Sequence, residues 1–428
     1  MGDVVIDGNT GANRLVFLDA NGKIPALDGS AVTQLNGTNF TSGTIPAARM
    51  DVGTSANKIV QLDGNAKLPA VSGVNLTNMV EVTQSSNDPT VSTNPSGGVG
   101  TEWHNTSTGE VYVCTDATAG FNVWMNVGEG SGNIVPYSFQ GSNFGFNAGG
   151  NPNSGTWGGT PSDQISKFSL TSDANGVDVA NLTDDRQSTA GCSSNTHGYT
   201  MSGYHSGYLN VVDKFSFTSG GDATDVGDLS VNRASMAGQS SGDYAYASGG
   251  DTGGDSNVID KTSTSTDGNA TDVGDITVGR QYTAGQSSST HGYISGGNVG
   301  GSPQNYIDKF LFASDGNASD VGDLIGSRRG VGGQSSTTHG YVTGGSSNSN
   351  VIEKFAFASD GNATDVADLT GGRDYVTGQS STTHGYTCGG TTGSLSNIID
   401  KFTFSSDANA TDVGDMAAGR KAAAGTQY

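Results

Sequence analysis

At 428 residues the chain is too long for one small core, and two or three domains are expected. Its net charge of −22, with 19 basic against 41 acidic residues and no basic run, excludes the clustered cations that a nucleic-acid partner needs. Glycine fills 68 positions, and Val, Thr, Tyr and Phe alternate with Ser, Gly and Asn, which predicts an all-β chain of short strands and tight turns. No apolar run approaches the roughly 18 residues of a membrane span, so no membrane insertion is expected. The N-terminus has neither a basic n-region nor an apolar h-region, so no secretory signal peptide is expected. Cys114, Cys192 and Cys388 fall at unrelated positions and form no disulfide framework.

Residues 1–80 carry a repeat of their own. Asn13 to Asp19 followed by Lys23-Ile-Pro-Ala26 recurs as Asn57 to Asp63 followed by Lys67-Leu-Pro-Ala70. Apolar runs this short, interrupted by Gly, Pro and Asn, cannot build a compact core alone. An intertwined, homotrimeric stalk supplies the missing burial; a flexible linker carrying a few strands is the other reading. The phrase from Leu18 to Ala26, followed by Asp28-Gly-Ser30, resembles the repeats of bacteriophage tail-fibre proteins. The second copy departs from it, with Gly64-Asn-Ala66 in place of Ala20-Asn-Gly22.

Residues 81–133 read as a linker and a small β-hairpin module. Ser85 to Ser96 is turn-rich, and Thr108-Gly109 joins a hairpin of Trp103–Asn105 and Val111–Val113, with Phe121 to Trp124 as a third strand. Trp103 and Trp124 are expected to form its miniature core rather than a ligand platform. The module resembles the hairpin units that join phage fibre segments.

From residue 134 to residue 428 six copies of a longer repeat follow. Arg186, Arg233, Arg280, Arg328, Arg373 and Arg420 mark them at spacings of 47, 47, 48, 45 and 47, each five residues before a glycine. Four strands are expected per copy: A after the arginine, B as His291–Gly297, C as Tyr306–Phe312, and a short D, Asp320–Leu324. The Asp-Gly pairs at Asp267, Asp315 and Asp360 signal turns between C and D. A hydrophobic strand ending in Gly-Gly, a following strand with an aromatic and an acid, and an arginine before the next strand A resemble kelch repeats. The resemblance implies a six-bladed, kelch-like β-propeller. It is a divergent one, because the tryptophan usual in strand D is replaced by valines such as Val226 and Val321. Residues 421–427 are expected to complete the first blade, with residues 134–140 leading in.

Four groups of residues are candidates for chemistry. Asp360-Gly-Asn362, with Asp365 and Asp368, and the similar runs from Asp267, Asp315 and Asp407 offer side-chain oxygens that suit either calcium or simply a hairpin turn. His197, His291, His339 and His384 share one repeat position, which spreads them around a ring instead of gathering them at one centre. Recurrent pairing of an arginine (Arg233, Arg280, Arg328, Arg373, Arg420) with a strand-C acid (Asp213, Asp260, Asp308, Glu353, Asp400) predicts buried ion pairs between blades. The first copy has Ser166 where the acid should be, so Arg186 is expected to lack a partner. The B–C loops vary while strands B and C do not, and in an alternating blade they emerge on one face. Trp157, Tyr204, Tyr208 and Tyr306 are the aromatics there, suited to stacking on sugar rings.

No phosphate-binding loop, paired-carboxylate motif, metal centre or nucleophile–base arrangement stands out, so catalysis is not expected. The two resemblances together imply a bacteriophage virion protein, assembled in the host cytoplasm with other virion proteins. On that reading it is a tail fibre or adhesin whose head binds a host-surface glycan or protein. A capsid-attached fibre or decoration protein, or a carbohydrate-active propeller enzyme, are the alternatives.

Overall fold

The alternation of β-formers with glycine becomes strand throughout. A computed structural model describes residues 82–128, 137–153 and 160–428, and among these residues it has 30 strands and no helix. The stalk expected over residues 1–80 lies outside the described residues.

Residues 82–128 form one four-stranded sheet. The expected hairpin pairs Glu102–Asn105 with Val111–Asp116, and Val123–Asn126 is the third strand. A fourth, Val82–Ser85, was not expected and lies parallel to Glu102–Asn105. Tyr112, Cys114 and Trp124 are fully buried, and Trp103 meets Trp124 edge-on at 5.9 Å. Trp103 Nε1 donates to Asn87 O and Asn105 Nδ2 to Asp88 Oδ1, so the turn-rich stretch is tied to the sheet.

The repeat forms six four-stranded sheets, each antiparallel in the order A-B-C-D. The fourth illustrates all: A is Ala284–Ser287, B His291–Ser295, C Tyr306–Leu311 and D Ser319–Asp323. In the first sheet, strand A is the C-terminal Ala424–Gln427, paired with Phe144–Ala148 as strand B. The chain's last strand therefore completes the sheet that its first repeat strands begin.

The glycine five residues after each arginine is where neighbouring A strands meet. A Cβ on Gly191 would strike the carbonyl of Gly425, one on Gly238 that of Gly191, and one on Gly285 that of Gly238. Gly333, Gly378 and Gly425 continue the series, facing Gly285, Gly333 and Gly378, so the contacts return to their start. Any side chain here would have to push two backbones apart.

Between sheets, the strand-B aromatic of one packs on strand C and the segment after it in the next. Tyr293 stacks on Phe357 at 4.8 Å, Tyr341 on Phe404 at 4.9 Å and Phe146 on Phe217 at 5.1 Å. Tyr386 of the sixth sheet meets Phe168 of the first at 5.6 Å. Lysines of strand C reach the first aspartate of the next sheet's C–D turn: Lys309 to Asp360 at 2.5 Å, Lys354 to Asp407 at 2.7 Å, and Lys401 to Asp173. The asparagine two residues on accepts from backbone of the preceding sheet, as Asn362 Oδ1 does from Asp323 N. These aspartates and asparagines thus join neighbouring sheets.

Strand D carries a β-bulge against strand C at the same point in every sheet. Ile307 pairs with Gly322 and Asp308 with Asp320, leaving Val321 as the extra residue. Ile307 and Asp308, consecutive in strand C, point to opposite faces of the sheet and are both buried. The ion pairs lie within each sheet, which corrects the expected blade-to-blade pairing. Arg186 pairs with Asp213, Arg233 with Asp260 at 3.1 Å, and Arg280 with Asp308 at 2.8 Å. Arg328 pairs with Glu353, and Arg373 with Asp400 at 2.9 Å. Each arginine precedes strand A of its own sheet and meets strand C of that sheet. The arginine without an acid is therefore Arg420, not Arg186, because Arg420 precedes the C-terminal strand and faces Ser166. Its guanidinium donates to Ser166 Oγ, Gln164 O and Gly149 O instead. Burial with no facing carboxylate lowers it to about 10.

Two predictions follow from this packing. Asp308→Asn should lower stability by about 3–5 kcal/mol, because Arg280 would stay buried without its counter-charge; an unchanged melting temperature would contradict the pair's role. The second concerns Gly292, whose Cβ would overlap the Phe310 ring opposite it. The third sheet has Ala245 facing Thr262 at the equivalent point, small partners exchanged together. Gly292→Ala should cost about 1–3 kcal/mol by overpacking, and clearly less in a Phe310→Thr background. Additive costs in a denaturant double-mutant cycle would refute the steric account.

Candidate functional site

Because the four strands alternate direction, the B–C loops and the residues after each arginine come to the same end of the sheets. Bridges tie them together: Gln187 with Tyr204, Ala234 with Asp251, Gln281 with Asn298, and Asp374 with Thr391. The residue two positions after each arginine has a left-handed backbone. These residues are Ser188, Ser235, Tyr282, Gly330, Tyr375 and Ala422, with φ between 55° and 65°. Their main chains join sheet to sheet. Ser235 N donates to Ser188 O, Tyr282 N to Ser235 O and Gly330 N to Tyr282 O. Val376 N then donates to Gly330 O, Ala422 N to Tyr375 O and Ser188 N to Ala422 O, which completes the cycle.

Inside this cycle lies a cavity of about 140 Å³, walled by the six A strands. At its far end the incoming chain crosses it. Gly141 N donates to Ser380 O, Gln140 Nε2 to Ser335 O and Ser381 O, and Gln427 Nε2 to Phe139 O. Tyr137, beside them, donates its hydroxyl to Ser193 O at 2.6 Å, and burial holds that phenol well above its usual range. The expectation that residues 134–140 lead into the repeats is met over its described part, residues 137–140, as a crossing segment without strand.

At the loop end, aromatic and charged side chains gather. Tyr204 and Tyr208 meet edge-on at 5.3 Å, and Tyr282 and Tyr375 at 5.4 Å above the bare Gly330. Burial, reinforced by a hydrogen bond and the charge of Asp251, pushes Tyr208 up to about 12. Burial raises Asp374 from 3.8 to about 6, opposed by the amide of Tyr375 and the charges of Arg329 and Lys421. Arg329 donates to Asn298 Oδ1 at 3.1 Å. The sequence reading missed Tyr282, Tyr375, Arg329 and Asp374, because the stretch after each arginine reads as plain strand A.

Of the expected aromatics, Tyr204 and Tyr208 lie together on this face. Tyr306 stands instead beside the ion pair of the fourth sheet, with the Arg280 guanidinium 5.8 Å from its ring centre. Trp157 lies outside the described residues. The four histidines each share a hydrogen with the preceding threonine hydroxyl at 2.8 Å, one per sheet, and burial lowers their pKa. Among the described residues, one group brings three metal-ligand side chains within 4.8 Å of each other: Asp184, Asp185 and His205. His205 Nδ1 lies 3.5 Å from Asp184 and 3.7 Å from Asp185, on the surface. The chain matches no protein-family model and none of the curated proteins with which it was compared.

Asp374 yields a pH prediction. Its folded pKa lies above its unfolded value, so ionisation penalises the native state. The penalty is absent below about pH 4, grows up to about pH 6 and is complete above that. Asp374→Asn should therefore raise stability at pH 8 by about 1–3 kcal/mol and leave it unchanged at pH 4. Equal effects in thermal melts at the two pH values would show that the carboxylate is not destabilised by burial.

Proposed function

We propose that the chain is a bacteriophage virion protein, a tail fibre or related adhesin, whose repeat region is a closed, six-bladed, kelch-like β-propeller that binds a host-surface glycan. Support for the ring comes from the glycine contacts, which pass from sheet to sheet and back to the first, and from the Tyr386–Phe168 contact and the Lys401–Asp173 pair, which join the sixth sheet to the first. The resemblance of residues 1–80 to tail-fibre repeats supports the virion reading and a homotrimeric stalk held outside the host cell.

One observation carries the binding role. The chain enters the sheets at one end, through residues 137–141, while the loops that differ most among the copies meet the aromatic cluster at the other. A head mounted from one end and varied at the opposite end is the arrangement an adhesin needs. Stacking faces such as Tyr204 and Tyr208, flanked by hydrogen-bonding groups, suit sugar rings.

The full-length chain should bind a subset of a panel of bacterial capsular and O-antigen polysaccharides without shortening them, and should have the native mass of a trimer. Tyr204→Ala with Tyr208→Ala should weaken that binding at least tenfold. Cleavage of the polysaccharide would favour the carbohydrate-active enzyme instead, and a monomeric mass would remove the trimeric stalk.

A further inference from the structure

Every strand B of the repeats opens on a ring side chain that shares a sheet face with the lysine of strand C. In the fourth sheet His291 lies opposite Leu311 and Tyr293 opposite Lys309, so the imidazole and the lysine are diagonal neighbours. The other five sheets keep the same register. In the first and third sheets the ring belongs to Phe144 and Tyr244, and the lysine settles over it. Lys167 Nζ lies 4.2 Å from the centre of Phe144, and Lys261 Nζ 4.9 Å from that of Tyr244. In the remaining four sheets the ring is an imidazole, at His197, His291, His339 and His384.

Those four imidazoles stand at joints between sheets. The lysine beside each one reaches the first aspartate of the next sheet's C–D turn. Lys214 meets Asp267, Lys309 meets Asp360, Lys354 meets Asp407 and Lys401 meets Asp173. That lysine and that aspartate are the charged groups that face each imidazole, the lysine being the stronger of the two. The threonine hydroxyl at Nδ1 donates to a neutral ring or accepts from a protonated one, so it does not choose between them. Partial burial and the neighbouring ammonium do choose. Both disfavour the imidazolium and hold the folded pKa below the ordinary histidine value.

We infer that the four histidines make these joints acid-sensitive. Protonation puts a second cation beside the lysine, in competition for the same aspartate, and the tie to the next sheet loosens. Each folded pKa lies below its unfolded value, so the contribution to stability is full above about pH 6.5 and is lost as pH falls through the folded value. One half-exposed joint contributes little. Four that titrate over one range act together, and the joint between the sixth sheet and the first is among them. The joints behind Phe144 and Tyr244 carry no such group, which gives the native chain its own control.

The test is amide hydrogen exchange in the full-length chain at pH 7.5 and pH 5.0, corrected for intrinsic rates and read residue by residue. The amides of Asp228, Asp323, Asp368 and Asp415 donate to the turn asparagine of the next sheet across the four histidine joints. The Asp275 amide donates to Asn317 across the Tyr244 joint. Protection of the first four should fall at least about threefold at pH 5.0 while that of Asp275 holds. An equal loss at all five, or a loss at none, overturns the inference. Lys309→Met supplies the second measurement, the titration midpoint of each histidine followed by exchange at imidazole C2. Removal of the neighbouring ammonium should raise the His291 midpoint and leave that of His384 in place. A His291 midpoint that stays or falls shows that the lysine does not act on the ring, and overturns the inference as well.

Discussion

Everything in the repeat region depends on how closely six A strands approach one another. At Gly191, Gly238, Gly285, Gly333, Gly378 and Gly425 the neighbouring backbones are in direct contact, and a single methyl group would meet a carbonyl. That contact fixes how near the sheets stand, and so whether Tyr293 can reach Phe357 or Lys309 can reach Asp360. Glycine is abundant here because packing excludes side chains at these points and at positions such as Gly292, which lies under Phe310. Where that second demand is lifted, as at Ala245 facing Thr262, the glycine is lost as well.

The buried ion pairs serve the same arrangement from the loop end. Each carboxylate also accepts from the loop that precedes its sheet, as Asp308 does from the Thr277 amide and hydroxyl. One acid therefore holds the arginine, the loop and strand C together. Charged pairs so deeply buried are weak contributors to net stability, but they discriminate strongly against a shifted register. The lysine–aspartate pairs, by contrast, sit at half-exposed positions where salt screens them, and contribute little each. Their role is to match a lysine on one sheet to a turn on the next.

Much of this was legible in the chain. The arginine-to-glycine interval marked the start of each sheet, strands B and C fell within a residue or two of their observed limits, and the Asp-Gly pairs fell in the C–D turns. The partner of each arginine was assigned wrongly because sequence adjacency ties Arg186 to the strand D before it. The molecule ties it to the strand C that follows, at Asp213. The aspartates and asparagines of the turns carried two compatible meanings, turn former and oxygen ligand, and their pairing with a lysine some 50 residues away has no local signature. Val82–Ser85 was missed because a parallel edge strand of four residues is too short to show a period.

The mouth of the cavity was the least legible part, for a physical reason. Left-handed positions are usually betrayed by Gly, Asn or Asp, but here they hold Ser188, Ser235, Tyr282, Tyr375 and Ala422, with a single glycine at 330. The conformation is imposed from outside, by main-chain hydrogen bonds that run from each sheet to the next around the whole cycle. With the backbone held in that way, a side chain at these positions carries a cost that rises with its bulk. Alanine and serine keep the cost small. Two tyrosines that meet above Gly330 do not, and their edge-on contact joins the fourth sheet to the sixth over the glycine of the fifth.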